Sequence, residues 1–362
     1  MEAEQLQKIS VLTFGAGAIG TYVGGSLALS GHKVVFIEQP AVVDELNRRG
    51  MCLDLSLDER RNTHQPFNLP PSRFKCVASL EEALAQGPFD AAIFALKSFD
   101  TASALEGMKP FVEQMPPVLC LQNGVENESR LAAVLGDGKV MAGTTTSSVG
   151  RLGAGNIVLE RLRGIGIATG TNPVLNSLAG RLVEAMNEAL LNAGLFPRAA
   201  DMKWSKMLTN LMGNATAAIL DMTPAEVFRH PGLYGLEMGM FREALKVMAA
   251  QGIHPVDLPK VPVRLLTLGV RYLPSFIVRP LMVKMVGGGR GAKMPSFHID
   301  LHSGRGKIEV DYLNGAVVRF GEKTGVPTPI NRLLNDTLLG LVQGRQPLSE
   351  FSEQPEKLLA LL

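Results

Sequence analysis

Three polar side chains recur at four-residue intervals in a stretch that is otherwise apolar, and their chemistry suits a carbonyl compound. Lys206, Asn210 and Asn214 share one face of a helix predicted over 202–219. A solvated face would carry several charged residues, whereas here one lysine stands in line with two amides. Buried amides need hydrogen-bond partners. The stripe therefore predicts a polar track that binds a ligand with carbonyl and hydroxyl groups; amides that brace two helices are the alternative.

The lysine gives this stripe a role that amides alone would not have. Addition of hydride to a keto carbon leaves an alkoxide, which needs a proton donor and positive charge at that oxygen. A lysine meets both needs when burial brings its pKa toward neutrality. We therefore interpret Lys206 as a general acid. A non-catalytic dinucleotide-binding sensor is the competing hypothesis, and it would not need the stripe.

A glycine-rich loop connects an apolar strand predicted over 9–14 to a helix predicted over 21–30, and it reads Gly15-Ala16-Gly17-Ala18-Ile19-Gly20. This context is typical of a dinucleotide-binding turn. The first glycine allows the tight turn, the second lets a pyrophosphate approach the backbone, and the third lets the helix pack on the strand. The N–H groups at the helix start would bind the phosphates. A plain strand–helix turn is the alternative.

Further candidate cofactor ligands follow the next strands. Glu38 ends the strand 33–37, where an acid usually accepts hydrogen bonds from the adenosine ribose and would repel the 2′-phosphate of NADP. This residue favours NAD, although Arg48 and Arg49 lie nearby in sequence. Lys97 follows the strand 91–95 and Asn123 follows 118–121, so both are predicted to face the bound dinucleotide.

The elements that position these residues predict an α/β fold. The predicted strands lie at 9–14, 33–37, 91–95, 118–121, 140–144, 163–167 and 196–198, with helices between them. Such alternation predicts a Rossmann-type doubly wound sheet in a domain over 1–200. The second domain, over 201–362, is predicted to be all-helical, with helices at 202–219, 224–228, 233–250, 310–324 and 330–341. Short helices packed over the catalytic cleft are expected within 258–286, with an interfacial amphipathic patch as the alternative; charges and prolines argue against a membrane span.

Composition excludes several classes of function. A net charge of +2 in 362 residues gives no sign of a nucleic-acid surface. The three cysteines have no metal-ligand spacing, so we expect reduced thiols in a cytoplasmic protein. His298 and His302 have the spacing of a metal-binding pair, but no third ligand is recognisable, and we assign no metal.

The chain resembles the ketopantoate reductase (2-dehydropantoate 2-reductase) family over nearly its whole length. The motifs that carry the resemblance are Gly15–Gly20, Ala95-Leu-Lys97, Leu121-Gln-Asn123-Gly, Gly143-Thr-Thr-Thr146, Lys203-Trp-Ser-Lys206-Met-Leu-Thr-Asn210, Pro295-Ser296, Glu309-Val-Asp-Tyr-Leu-Asn-Gly315 and Gly325-Val-Pro-Thr-Pro-Ile-Asn331. In this order, and across two domains, the set is far more specific than any single motif.

The resemblance implies a Rossmann domain joined to a helical domain, and NADPH-dependent reduction of a 2-keto acid, with 2-dehydropantoate in pantothenate biosynthesis as the leading substrate. It implies Lys206 as general acid and Glu309 as an acidic residue near the nicotinamide ribose and the substrate. The residues implied to line the substrate and nicotinamide site are Asn123, Asn210, Asn214 and Ser296. Glu38 leaves NAD as an alternative cofactor, and another keto acid or an imine or opine-type substrate stays open, as does a homodimer.

Overall fold

The computed structural model describes residues 7–290 and 294–362, which form two compact units. The N-terminal unit comprises residues 7–122, 126–203 and 258–261. The C-terminal unit comprises residues 123–125, 204–257, 262–290 and 294–362. The chain thus enters the C-terminal unit briefly at 123–125 and returns to the N-terminal unit at 258–261.

The strands of the N-terminal unit form two sheets. They are β1 (Ser10–Phe14), β2 (Lys33–Ile37), β3 (Met51–Asp54), β4 (Phe67–Leu69), β5 (Lys75–Val77), β6 (Ala91–Phe94), β7 (Val118–Cys120), β8 (Val140–Thr145), β9 (Ser148–Gly153), β10 (Asn156–Arg161), β11 (Ile165–Ala168) and β12 (Ala193–Phe196). Within the described residues the larger sheet has the strand order β12-β11-β8-β7-β6-β1-β2-β5 and the smaller has the order β4-β3-β10-β9.

The larger sheet confirms the predicted doubly wound arrangement. β1 pairs in parallel with β2 on one side and with β6 on the other. β5 extends the sheet beyond β2, and β7 and β8 extend it beyond β6, all in parallel. β11 joins β8 antiparallel. The chain order therefore reverses at β1, and in such sheets ligands bind outside the carboxyl ends of the strands at that switch point.

Burial on both faces explains why the strands of this sheet are apolar throughout. Val11 and Leu12 are neighbours in β1, so they point to opposite faces, and both are fully buried. Ile93 and Phe94 repeat this in β6. Each face packs against its own hydrophobic cluster. A parallel sheet covered on both sides requires such continuous apolar strands.

Helices complete both units. Those that begin in the N-terminal unit are α1 (Ala18–Leu29), α2 (Pro40–Arg49), α3 (Leu80–Leu84), α4 (Thr101–Met108), α5 (Asn127–Leu135), α6 (Pro173–Glu188) and α7 (Ala199–Leu211). Those of the C-terminal unit are α8 (Ala215–Leu220), α9 (Pro224–Arg229), α10 (Pro231–Ala250), α11 (Val263–Tyr272), α12 (Ser275–Arg290), α13 (Ser296–Leu301), α14 (Val310–Thr324), α15 (Pro329–Val342) and α16 (Pro355–Leu359). The predicted α/β fold with a helical C-terminal region is confirmed. Among the described helices none has the length and apolar content needed to cross a membrane.

The structure differs from the sequence prediction in several places: β5 was not predicted, and the strand predicted over 196–198 is β12 at Ala193–Phe196. Two further differences change the architecture. The smaller sheet was not expected: β3 and β10 pair in parallel, with Cys52 opposite Asn156, although about a hundred residues separate them. The helix predicted over 202–219 is two helices, because α7 ends at Leu211 and α8 begins at Ala215. Gly213, between them, has φ of +60°, which does not continue a right-handed helix.

Candidate functional site

Two glycines of the loop between β1 and α1 are required by the protein's own packing. Gly15 has φ of +90°, and its N–H donates to the carbonyl of Ile37 at 3.1 Å. A Cβ on Gly20 would lie 1.9 Å from the carbonyl oxygen of Gly15. These two positions let the chain turn sharply and bring the start of α1 against the loop.

The middle glycine has a different surrounding. A Cβ on Gly17 would meet no described atom within 4 Å, and its φ of −74° is open to any residue. Gly17 is the N-cap of α1, and no side chain caps the helix there. The first N–H groups of α1, from Ala18 onward, therefore face the space that a Cβ on Gly17 would enter. A pyrophosphate fits this place in charge and in room, since the N-terminal end of a helix attracts anions.

Glu38, which the sequence predicts to bind the adenosine ribose, is hydrogen-bonded to the glycine loop. Its Oε1 accepts a hydrogen bond from the backbone N–H of Ala16 at 2.6 Å, and its Oε2 accepts one from the N–H of Gln39 at 3.1 Å. The carboxylate is thus held directly beside the glycine loop. Arg49, the nearby cation considered for a 2′-phosphate, instead donates to Glu45 at 2.7 Å. This arrangement suits ribose hydroxyls better than a phosphate.

Lys97 lies across the switch point from the glycine loop. It follows β6, the neighbour of β1, and it is the N-cap of a short 3₁₀ turn at Ser98–Asp100. Leu96, one residue earlier, lies close enough that a Cβ on Gly15 would be 2.9 Å from its Cδ2. The loops after β1 and β6 are therefore in contact, and Lys97 is placed beside the predicted dinucleotide site.

A buried brace that the sequence analysis missed supports the same edge of the sheet. Lys203 Nζ donates to the carbonyl oxygens of Gln122 at 2.6 Å and Gly143 at 3.2 Å, and it lies 2.7 Å from Glu128 Oε1. Burial by itself would lower the pKa of Lys203, but the Glu128 carboxylate outweighs it, and the pKa is raised. Lys203 therefore stays charged and ties the ends of β7 and β8. Its signal in the sequence, a lysine among apolar residues, resembled that of Lys206.

The break between α7 and α8 is fixed by a buried acid. Glu237 of α10 is fully buried. Its Oε2 accepts a hydrogen bond from the N–H of Gly213 at 2.8 Å, and its Oε1 accepts one from the hydroxyl of Thr216 at 2.5 Å. The Gly213 N–H freed by the break is thereby satisfied, and the carboxylate lies near the positive end of α8. Specific hydrogen bonds to Glu237 thus stabilise the break between α7 and α8.

The predicted substrate residues meet in one hydrogen-bonded track in the C-terminal unit. Asn210 Nδ2 donates to Asn123 Oδ1 at 2.9 Å. Asn214 Nδ2 donates to the carbonyl of Asn210 at 3.0 Å and to Ser296 Oγ at 3.3 Å. Asn214 Oδ1 accepts the N–H of Phe297 at 3.1 Å. Although the helix breaks, Asn214 remains stacked above Asn210, and residues from three distant parts of the chain converge.

The two predicted catalytic residues lie in the C-terminal unit, at different helices. Lys206 lies one turn before Asn210 on α7 and is partly buried. Glu309 is the N-cap of α14 and is 3% exposed, a burial that an acid without a specific role would rarely have. The structure places Lys206 on the same helix as Asn210, while the role of Glu309 stays a prediction.

His298 and His302, for which the sequence showed no third potential metal ligand, lie next to Asp221. Asp221, at the end of α8, has its Oδ1 2.7 Å from His298 Nε2. Ligand atoms of Asp221, His298 and His302 all lie within 4.8 Å of one another. The sequence analysis missed Asp221 because 77 residues separate it from His298. Only the packing of α13 on α8 reveals the cluster.

Comparison with known families decides the wider assignment. Residues 11–171 match the family described as "Ketopantoate reductase PanE/ApbA", and residues 198–343 match "Ketopantoate reductase PanE/ApbA C terminal". The chain belongs to the ketopantoate reductase family. As a member of this family it is an NAD(P)H-dependent oxidoreductase, and the resemblance read from its motifs is confirmed.

Individual relatives are distant but match along their full length. A 2-dehydropantoate 2-reductase of Archaeoglobus fulgidus is 27% identical over 348 residues, which cover 94% of this chain and 98% of the relative. The crystal structure of a PanE/ApbA family ketopantoate reductase from Ralstonia eutropha JMP134 is similar with a TM-score of 0.74 at 25% identity, over 93% of this chain and 99% of that one. A D-mandelate dehydrogenase, solved with NADH and anilino(oxo)acetate, has a TM-score of 0.72 at 21% identity, over 92% and 99%. The similarity to the D-mandelate dehydrogenase shows that the two proteins share a fold.

Proposed function

We propose that this ketopantoate reductase family member reduces a 2-keto acid to the 2-hydroxy acid, with 2-dehydropantoate as the leading substrate. The observation that carries the proposal is the hydrogen-bonded track of Asn123, Asn210, Asn214 and Ser296, in which Asn210 shares α7 with Lys206. A protein that only binds a dinucleotide has no need for it. The named 2-dehydropantoate 2-reductases among the relatives favour the same substrate.

Separate groups of residues are assigned to the cofactor and to the substrate. When bound, a nicotinamide dinucleotide would supply the hydride, and the residues that would hold it are Gly15–Gly20, Glu38 and Lys97. Lys206 donates the proton to the oxygen that gains charge as the carbonyl is reduced. The asparagine amides orient the carboxylate and hydroxyl of the substrate, and they are preorganised because each is already fixed by a hydrogen bond.

The cofactor is proposed as NADP, following the family resemblance, with NAD accepted. The hydrogen bond from Ala16 keeps the Glu38 carboxylate where the 2′-position of the adenosine ribose is expected. A phosphate there would face that negative charge. The D-mandelate dehydrogenase of similar fold was solved with NADH, which agrees with acceptance of NAD on this fold.

The substrate is proposed to carry an apolar or branched tail. Ser296 is followed by the fully buried Phe297 and preceded by the long apolar segment that holds α11 and α12. In an apolar pocket one methylene changes kcat/KM by about 10–200-fold. An aromatic 2-keto acid is the second candidate, because the D-mandelate dehydrogenase of similar fold was solved with anilino(oxo)acetate.

Oxidation of NADPH and NADH with a graded panel of 2-keto acids tests the proposal, from glyoxylate through 2-dehydropantoate to phenylglyoxylate. We expect best turnover with a branched or apolar acid. A flat response along the series, or best activity with glyoxylate, would contradict the apolar pocket. Absence of turnover with every keto acid, together with tight dinucleotide binding, would favour the sensor.

The role of Lys206 has its own test. We expect Lys206→Ala to lower kcat by roughly 10²–10⁴-fold, the range for loss of a general acid, while dinucleotide binding stays nearly unchanged. Lys246→Ala, which removes an exposed lysine of α10, is the matched control and should keep full activity. A Lys206→Ala enzyme with more than about half of normal turnover at neutral pH would rule out the role.

A further inference from the structure

The end of α8 carries a cluster of side chains that the proposed reaction does not use. Asp221 is the C-cap of α8 and adopts the left-handed conformation, with φ of 51°. Its carboxylate contacts His298 Nε2. The imidazole of His302 lies beside that of His298, with ring centroids 4.2 Å apart. Three potential ligand atoms thus converge from two helices.

We propose that Asp221, His298 and His302 bind a divalent transition-metal ion, with Zn²⁺ as the ion that fits best. Two imidazole nitrogens and one carboxylate oxygen form a donor set suited to zinc, whereas calcium and magnesium prefer oxygen alone. The i,i+4 histidines present their rings on one side of α13. Asp221 and His302 are exposed, so water can complete a four-coordinate ion.

The position of this site gives a bound ion a structural effect. α8 contacts α13 at both of its ends: Asn214, which precedes α8, bonds Ser296 and the N–H of Phe297, and Asp221, which follows α8, contacts His298. A metal ion would fasten the second contact and hold α13 against α8. The ion would thereby also fix Ser296 at the start of α13, and the value of this for substrate binding rests on the proposed function. The ion site itself does not rest on it.

Titration of the tag-free protein with ZnCl2 tests the site by calorimetry and by thermal unfolding. We expect one ion per chain and a rise in Tm, since an ion that binds only the folded state stabilises it. His302→Ala should weaken binding at least about tenfold and remove the rise in Tm. His64→Ala, which removes an exposed histidine of the N-terminal unit, is the control and should change neither.

The outcomes separate cleanly. Weakened binding in both His302→Ala and Asp221→Asn, with an unchanged circular dichroism spectrum, supports the site. Binding of equal strength in His302→Ala and the unsubstituted protein, or no binding by the latter, overturns it. Because neither measurement involves turnover, failure of the metal site leaves the reductase assignment untouched.

A second, independent observation concerns the outward faces of α11 and α12. The inward face of α11 is formed by the buried residues Val263, Thr267 and Val270. On the opposite face of the same helix, Leu265, Leu268 and Tyr272 are 69%, 53% and 72% exposed. A helix at an ordinary protein surface is polar on this face. α11 is apolar on both.

α12 repeats this pattern. Val278 and Met282 are buried, whereas Phe276 and Leu281 on its other side are 77% and 59% exposed. The Arg279 guanidinium donates to the carbonyl of Phe228 and fixes the helix on its inner side. α11 and α12 contact each other, and several large exposed apolar side chains on neighbouring helices are typical of an interaction site.

The positive charge of the segment that contains α11 and α12 indicates an anionic binding partner. Between Asp257 and Asp300 the sequence contains seven of the chain's 36 basic residues and none of its 34 acidic ones. We propose that the outward faces of α11 and α12 dock on an anionic lipid bilayer surface, with the apolar side chains in the interface and Arg271 and Lys284 at the phosphates. A symmetric pairing of two copies would instead place Arg271 and Lys284 of one copy against the same cationic segment of the other, which has no acidic residue between Asp257 and Asp300.

Flotation with phosphatidylcholine vesicles, with and without phosphatidylserine, tests the docking surface. We expect binding only to the anionic vesicles. Leu265→Glu should abolish it, and Arg271→Gln should weaken it about fivefold. Leu152→Glu is the matched control, because Leu152 is also 69% exposed but lies in the N-terminal unit. Equal vesicle binding by Leu265→Glu and Leu152→Glu would overturn the proposal. It would also be overturned if the unsubstituted protein bound no vesicles but formed a dimer that Leu265→Glu disrupts.

Discussion

Substitution of alanine at Gly17 and at Gly20 should produce opposite defects, although the two glycines belong to one loop. The Cβ of alanine at 17 would enter open space at the start of α1, and the backbone φ of −74° accepts it. The Cβ of alanine at 20 would overlap the carbonyl oxygen of Gly15, 1.9 Å away. One variant therefore disturbs the dinucleotide and the other disturbs the fold.

The magnitudes follow from these contacts. Gly17→Ala should change the free energy of unfolding by less than about 1 kcal/mol, because alanine is a slightly poorer N-cap but restricts the unfolded chain. Its methyl group would stand between the pyrophosphate and the helix start, and we expect dinucleotide affinity to fall at least about tenfold, or 1.4 kcal/mol. Gly20→Ala should lose about 1–3 kcal/mol of stability or more, the cost of forcing an extra carbon into packed surroundings.

Fluorescence titration with NADH and NADPH, together with urea unfolding, measures both effects. Gly180→Ala is the matched control: a Cβ at that position of α6 also meets no described atom within 4 Å, so it should bind dinucleotide normally and unfold no more easily. Dinucleotide affinity of Gly17→Ala within about twofold of the unsubstituted protein would refute the placement of the pyrophosphate.

Other perturbations test the remaining parts of the structure. Glu38→Arg should move the preference between NADPH and NADH toward NADPH by about tenfold or more, with Glu38→Gln intermediate because it keeps an acceptor for Ala16; unchanged preference in titrations of both cofactors would mean that Glu38 does not face the 2′-position. Glu237→Gln should lower the free energy of unfolding, measured in urea, by about 1–3 kcal/mol. Glutamine has a single acceptor oxygen, so its NH2 group would replace the acceptor of either the Gly213 N–H or the Thr216 hydroxyl. An unchanged free energy of unfolding would mean that the break before α8 does not depend on this acid. Burial lowers the pKa of His32, against the opposing charge of a nearby glutamate, so the unfolded chain takes up a proton that the folded chain does not as the pH falls below about 6.5. Stability should therefore decline below that pH, and a His32→Gln variant with an equally steep decline in urea unfolding would contradict this.

Sequence reasoning located the parts of the fold that are set by local pattern. The apolar run of β1, the glycine loop and the start of α1 are contiguous, so one segment contains all the information for them. The same holds for α14 at Val310–Thr324, whose bounds were predicted without error because an acid precedes it and Gly325 ends it in the left-handed conformation.

The features that the sequence concealed depend on partners far along the chain. The break at Gly213 is stabilised by Glu237, a residue of another helix, and a glycine within an amphipathic stretch does not show by itself that the helix stops. β3 and β10 pair although about a hundred residues separate them, so nothing local in either segment indicates its partner. The substrate track was predicted as a stripe on one helix, but Ser296 could be placed only by its family motif. Asp221 had no signal at all.

The four residues 258–261 have a consequence for anyone who would recombine this enzyme with its relatives. They lie between α10 and α11 in sequence, yet they belong to the N-terminal unit. The Pro259 carbonyl accepts the hydroxyl hydrogen bond of buried Thr146 at 2.9 Å, and its ring lies against Gly164. A chimaera joined at residue 203 would carry a foreign segment into this contact. An exchange of substrate specificity by transplanting the C-terminal half must therefore graft two pieces, with these four residues left behind.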